Sequence, residues 1–198
     1  HQRSSLAIES FKVSPKSFAG ITCSWFTEPG ARLLHCSDNN VTLTNPARTL
    51  LGSAQLPGTL YYQLELHDRD VNIAQNIMFT ALQNDTFFPQ ISSHKESGAV
   101  TVYKVVSSCV LGASLVAAEP FNLSEPVYII MKLKPGVEFS SDIVPGWWDS
   151  RSNNGLGSWQ TQYCKVMKPK RESVVFSCNR LGYFALLSHV LPSDNVRT

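Results

Sequence analysis

Short runs of β-branched and aromatic residues, each closed by turn-forming residues, set the tightest limit on how this chain can fold. Such runs occupy Gly20 to Phe26, Leu60 to His67, Val100 to Val106 and Val127 to Leu133, and Ser5 to Lys12 alternates loosely. Pro29-Gly30, Pro57-Gly58, Pro135-Gly136 and Asn154-Gly155 punctuate them. A helical period survives beyond two turns only over Asp70 to Ala81, where Val71, Ala74 and Met78 could share a face. A strand from Ile77 to Leu82 is the preferred reading there, because a polar Gln83-Asn84-Asp85 turn follows it. The expected fold is all-β: a twisted antiparallel β-sandwich with short or no helices.

Length and charge narrow the function. The 198 residues suit a single domain, 1–198. Seventeen basic and fifteen acidic side chains leave a net charge of +2, which argues against nucleic-acid binding through phosphate contacts. The most apolar stretch, Val105 to Ala118, is interrupted by Ser107, Ser108, Gly112 and Ser114, and falls short of the roughly 18 to 20 residues that cross a bilayer. His1 opens the chain without a basic-then-apolar leader, so a mature or excised fragment is expected.

The five cysteines contain no CxxC pair, and His35, His67, His94 and His189 show no metal-ligand spacing, so no metal and no cofactor is expected. Cys23 with Cys36, and Cys164 with Cys178, are each placed to join neighbouring segments across a turn. A bridge closing a loop of about 14 residues stabilises by roughly 3 kcal/mol in the chain-entropy view. Cys109, in the run Val105 to Leu115, reads as a buried structural thiol. Three N-x-S/T sequons, at Asn40, Asn84 and Asn122, favour the secretory route and glycosylation over a cytosolic chain with free thiols.

The region from Pro145 to His189 carries the most information. It reads as a meander: a Trp-rich strand over Gly146 to Asp149, a Ser/Asn/Gly loop, a strand from Trp159 to Met167, a basic turn, Val174 to Cys178, and a last apolar strand from Tyr183 to His189. Cys164 and Cys178 would staple the two middle strands, with a bulge or an asymmetric loop bringing them into register. The tryptophans Trp147, Trp148 and Trp159 read as core, with one of the adjacent pair partly exposed because neighbours on a strand face opposite ways. A partner-binding aromatic platform is the competing reading.

This cassette, 145–189, resembles the proteolysis-site motif that ends the autoproteolysis-inducing (GAIN) domain of adhesion G-protein-coupled receptors. The resembling residues are Trp148-Asp149, Asn154-Gly155-Leu156-Gly157-Ser158-Trp159, Cys164, Cys178-Asn179, Leu181 and Phe184-Ala185-Leu186-Leu187. Looser likeness extends to Phe11 to Pro15, Ala54 to Pro57, Gln83 to Pro89, Val110 to Leu115 and Glu125 to Ile129. The resemblance covers the β-sandwich portion of such a domain; its N-terminal helical subdomain is expected to be absent or to lie outside this chain. The family's cleavage tripeptide is typically His-Leu-Thr or His-Leu-Ser, in which the His is general base and the hydroxyl attacks the preceding carbonyl. The aligned residues here are Arg180, Leu181 and Gly182. Gly182 offers no nucleophile, and a guanidinium accepts no proton, so the site reads as degenerate and the chain as no enzyme. Ser177 and Ser188 cannot substitute, because the hydroxyl must follow the scissile carbonyl directly.

A second departure concerns cysteines. The family usually has four in this cassette; the positions near Pro145 and at Phe176 are lost here, while Cys164 and Cys178 remain. Phe176, Trp147 and Trp148 are candidates to fill the vacated space. The single bridge with an early Cys23, Cys36 pair is most similar to subfamily A of these receptors. The resemblance implies a cell-surface, extracellular location, extracellular protein partners or co-receptors, and a seven-helix membrane domain on the C-terminal side. Gly182, Tyr183, Phe184, Ala185, Leu186, Leu187 and Ser188 align with the strand that acts as a tethered agonist in cleavable relatives; here the plainer reading is a last core strand, anchored by Phe184 and Leu187. Lys165, Lys168, Lys170 and Arg171 form a basic cluster, either a solvated turn or a weak glycosaminoglycan contact. The alternative to the whole assignment is an unrelated secreted, disulfide-bonded β-sandwich that binds ligands, such as an immunoglobulin-like module, which would need a long-range bridge.

Overall fold

The computed structural model describes residues 6–13, 17–28, 31–37, 48–67, 75–88, 103–115 and 122–190. The strands are β1 (Leu6–Val13), β2 (Ile21–Glu28), β3 (Ala31–Ser37), β4 (Thr49–Leu56), β5 (Gln75–Leu82), β6 (Tyr103–Val106), β7 (Val110–Leu115), β8 (Val127–Lys132), β9 (Ile143–Asp149), β10 (Ser158–Gln160), β11 (Cys164–Pro169), β12 (Ser173–Cys178) and β13 (Gly182–Val190). Among the described residues one α-helix, α1, spans Leu60–His67. The first sheet runs β1-β5-β7-β13-β9-β10, with β6 also paired to β13; the second runs β11-β12-β8-β4-β2-β3. All these pairings are antiparallel. The chain is therefore the all-β antiparallel sandwich that the strand pattern anticipates.

Alternation along each strand puts one set of side chains between the sheets. Val127, Ile129 and Met131 of β8 face the interior, while Tyr128 lies exposed. Val174 and Phe176 of β12 join them, as do Ile77, Phe79, Leu111, Phe184 and Leu186 from the opposite sheet. A second apolar cluster gathers Leu82, Phe88, Val110, Trp148, Trp159, Ala185 and Leu187, packed with Tyr183. Strand β13 supplies both: Phe184 and Leu186 to the first, Ala185 and Leu187 to the second.

Three expectations change. Leu60 to His67 is a helix rather than a strand. The Pro57-Gly58 turn starts it: Leu60 N donates to Pro57 O at 3.1 Å and Gln63 N to Thr59 O at 2.9 Å. Leu60, Tyr61 and Gln63 are buried and Tyr62 is exposed, so the aromatic content that imitates a strand serves a helical face. The run from Trp159 to Met167 is two strands, with β10 in one sheet and β11 in the other, separated by a turn in which Cys164 N donates to Thr161 O. The adjacent tryptophans face opposite ways, yet neither is partly exposed: Trp147 retains 2% and Trp148 9% of its surface. Phe88, Trp159 and Tyr183 cover the outer side, with Phe88 5.1 Å from Trp148 and Trp148 5.3 Å from Trp159 between ring centroids. The strand expected from Ile77 to Leu82 is present as β5. Asn40, His94, Pro29 and Gly30 lie outside the described residues.

Candidate functional site: the Arg180–Leu181–Gly182 junction

The junction connects the end of β12 in one sheet to the start of β13 in the other. Cys178 is the direct cross-strand partner of Cys164, and the two form a disulfide with Cα atoms 4.1 Å apart. The bulge that allows this register lies between Val166 and Lys168. Beyond the bridge, Asn179 N donates to Tyr163 O at 3.0 Å and Leu123 N donates to Asn179 O at 2.7 Å. The backbone is thus tied on two sides before it reaches Arg180.

The Arg180 guanidinium lies over the Tyr163 ring, 3.9 Å from its centroid, and 5.1 Å from that of Trp147. Its Nε donates to Asn122 Oδ1 at 3.0 Å. Trp147 and Tyr163 meet edge to face at 5.3 Å. The Trp147 indole Nε1 donates to Leu181 O at 2.8 Å. Gly182 has φ of +141°, a conformation that side-chain-bearing residues rarely adopt. A Cβ built there would stand 2.5 Å from Trp147 Nε1. From Gly182 onward the chain is central: Gly182 to Phe184 pair with β7, Leu187 to Val190 with β6, and Phe184 to Ser188 with β9 on the other side.

A cavity of about 540 Å³ opens beside the junction, with Leu181, Gly182, Trp147, Trp148, Tyr183 and Phe88 among its walls. Among the described residues, no charged side chain lines it. Chemically, the Leu181 carbonyl carries a donor of the kind that polarises an electrophile. Residue 182 carries no hydroxyl, and residue 180 carries donors only.

The other sequence-selected residues fall in separate places. Cys23 and Cys36 are directly opposed on β2 and β3 and are bonded. Both bridges are local, unlike the long-range bridge of an immunoglobulin domain. Cys109 is a free thiol and only partly buried as a residue, while desolvation of the thiol pushes its pKa up to about 12. Asn84 and Asn122 are exposed. Lys165, Lys168, Lys170 and Arg171 are exposed around the β11–β12 turn, but Arg171 is committed to Glu138 through Nη2 at 2.6 Å and Nε at 2.9 Å. Ser177 sits on β12 in the other sheet, and Ser188 lies at the far end of β13, where it accepts a hydrogen bond from Ser107 Oγ.

Sequence reasoning missed Tyr163 and Asn122 as partners of Arg180, and Trp147 as the junction's hydrogen-bond donor. One signal was available: pairing Cys164 with Cys178 brings Tyr163 beside Asn179 and Arg180. The Trp147 contact had no such signal, because it depends on how two strands of one sheet approach the turn.

Residues 6–192 match the family described as GPS, GAIN subdomain B. Adhesion G-protein coupled receptor G4 of Mus musculus is 31% identical over 142 residues, covering 72% of this chain and 4% of that receptor. Adhesion G protein-coupled receptor A3 of Danio rerio is 22% identical over 202 residues, covering 92% of this chain and 15% of the receptor. The full extracellular region of zebrafish Gpr126/Adgrg6 superposes with a TM-score of 0.64 at 22% identity, over 89% of this chain and 22% of that one, which is a likeness of fold. The chain therefore spans a small part of the curated receptors it matches, from both the G and A groups. The family match over nearly the whole chain and the 31% identical relative lead to one conclusion: this chain belongs to the GAIN subdomain B family of the adhesion G-protein-coupled receptors.

Proposed function

We propose that this chain is a non-cleaving GAIN-type domain, 1–198, on the extracellular side of the plasma membrane. It links extracellular partner-binding regions to a seven-helix domain on its C-terminal side. Its role is structural and interactive. The strand that is a tethered agonist in cleavable relatives stays covalently continuous and seated in the core. The observation that carries this reading is the occupation of the junction: a glycine where a hydroxyl is needed, and an arginine stacked on Tyr163 where a base is needed. The central position of β13 supports it further, since withdrawal would break ladders on both edges and expose Phe184, Leu186 and Leu187. Each such side chain contributes roughly 1.5 to 3 kcal/mol on burial.

N-linked glycans at the exposed Asn84 and Asn122, and at Asn40, belong to the same reading, as do protein co-receptors for the outer surfaces. A weak glycosaminoglycan contact would rest on Lys165, Lys168 and Lys170, with Arg171 already neutralised by Glu138.

The test is the intact mass of secreted, deglycosylated material, alongside a denaturing gel. The expected result is one polypeptide near 21.9 kDa. A new amino terminus at Gly182 overturns the reading.

A further inference from the structure

We propose that Trp147 is the positioning residue that closes the Leu181–Gly182 junction to acyl transfer, so that restoring a base and a nucleophile alone does not restore cleavage. This rests on the non-cleaving reading and assigns it a physical cause beyond the two missing functional groups.

Two features converge on one atom, and a third lies in the backbone beside it. Trp147 Nε1 donates to Leu181 O at 2.8 Å, which fixes the carbonyl's direction. The same Nε1 would meet a Cβ on residue 182 at 2.5 Å, with Cδ1 at 3.2 Å and Cε2 at 3.4 Å. Real Cβ atoms do not approach a ring so closely, so any residue other than glycine must displace the indole or the backbone. Gly182 also sits at φ +141°, where a side chain is strained whatever the space.

The indole has little freedom to yield. Trp147 is 2% exposed, packs edge to face on Tyr163, and lies beneath the Arg180 guanidinium. Its own backbone is the register partner of Phe184, two residues beyond the junction. Rotating the ring would break its contacts with Tyr163 and Arg180, and shifting it bodily would move β9 against β13. The contact also contains an internal conflict. An indole N–H on the scissile carbonyl is the kind of donor that would stabilise a developing oxyanion. Here that donor occupies the place the nucleophile's Cβ would need, so donor and nucleophile exclude each other.

Acyl transfer needs the hydroxyl oxygen of residue 182 to reach bonding distance of the Leu181 carbonyl carbon. Its proton passes to an imidazole at position 180. The carbonyl–nitrogen bond then breaks, the imidazole returns the proton to the leaving amine, and water hydrolyses the ester. Supplying both groups with Arg180→His and Gly182→Thr leaves the first step blocked by Trp147. Phenylalanine at 147 keeps an aromatic ring in the core but removes Nε1.

The experiment compares the secreted wild-type chain, the Arg180→His/Gly182→Thr double variant, and the same double variant with Trp147→Phe added. All cysteines precede residue 182, so a cleaved 182–198 peptide separates on denaturation without reduction. The expected outcome is an intact wild type, an intact double variant, and release of the peptide from the triple variant. Cleavage of the double variant overturns the role of Trp147 and leaves the non-cleaving reading standing. Cleavage of the wild type overturns that reading instead. A folded triple variant that stays whole also overturns the proposal. Should the triple variant not fold, Gly182→Ala is measured alone and with Trp147→Phe. The drop in Tm on Gly182→Ala should be larger by about 5 °C when Trp147 is present. Equal drops overturn the proposal.

Discussion

Arg180 shows how one side chain can engage three neighbours at once. Its guanidinium is flat, permanently charged and rich in donors, which suits it to lie on Tyr163, approach Trp147 and hold the Asn122 carbonyl oxygen together. A lysine would keep the charge and lose the stack. Cys109 is a second residue whose surroundings decide its state. Its Sγ lies 3.7 Å from Leu51 O, and burial raises the thiol from the ordinary 9.0 to about 12. The sign follows from linkage. The fold prefers the protonated thiol, so this contribution is fully present below about pH 9 and is lost as pH rises through the folded value near 12. Wild type should therefore lose stability between pH 9 and 10.5 more steeply than Cys109→Ala, by up to about 1.4 kcal/mol per pH unit. Parallel curves of Tm against pH for the two proteins would contradict this.

Strand β13 depends on a repair in its own ladder. Its neighbour on one side changes from β7 to β6, and the break falls opposite Leu186. Ser107 N donates to Leu186 O at 2.7 Å, and Leu186 N donates to Ser108 Oγ at 2.9 Å. A side-chain hydroxyl thus stands in for a missing backbone acceptor at a fully buried position. Ser108→Ala should cost about 1 to 3 kcal/mol, the range for orphaning a buried donor, seen as a Tm lowered by several degrees. Ser107→Ala keeps its backbone bond to Leu186 and should cost less; equal losses would contradict the assignment. The strand itself was legible from Tyr183 to His189, because its apolar run and the preceding turn are local signals. So were β5, β8 and β12. The helix at Leu60–His67 was not, because Leu and Tyr side chains suit either geometry, and the choice rests on the Pro57 turn and on Gln63, whose Oε1 accepts from Ser124 N at 2.7 Å. The division of Trp159 to Met167 between sheets was equally hidden, since a three-residue turn without glycine or proline leaves no mark in composition. At the junction, Arg180 and Gly182 were readable as residue types. The indole that encloses them was not, because only tertiary approach brings Trp147 to Leu181.

Both disulfides lie in one sheet, at its two margins. Cys23–Cys36 clips the edge strand β3 to β2, and Cys164–Cys178 clips the edge strand β11 to β12. Each closes a short loop, with sequence separations of 13 and 14, so each is worth roughly 3 kcal/mol in the chain-entropy view. By stability alone the two should be interchangeable. They differ in what stands beside them. Cys164 follows Tyr163, the ring beneath Arg180, and Cys178 precedes Asn179, whose amide is held by Tyr163 O. The second bridge therefore fixes the platform on which the junction rests, while the first lies on strands with no part in it. Replacing either pair by alanine should lower Tm by a similar amount, about 6 to 12 °C. Amide exchange should separate them. Loss of Cys164–Cys178 should speed exchange at Asn179 through Gly182 as well as along β11, whereas loss of Cys23–Cys36 should speed it only along β3 and its neighbour. Interior β13 amides from Phe184 to Leu187 should stay protected in both, because their ladders lie in the other sheet. Faster exchange at the junction after loss of the first bridge would mean that the sheet transmits strain across its width, and that the junction is not held locally.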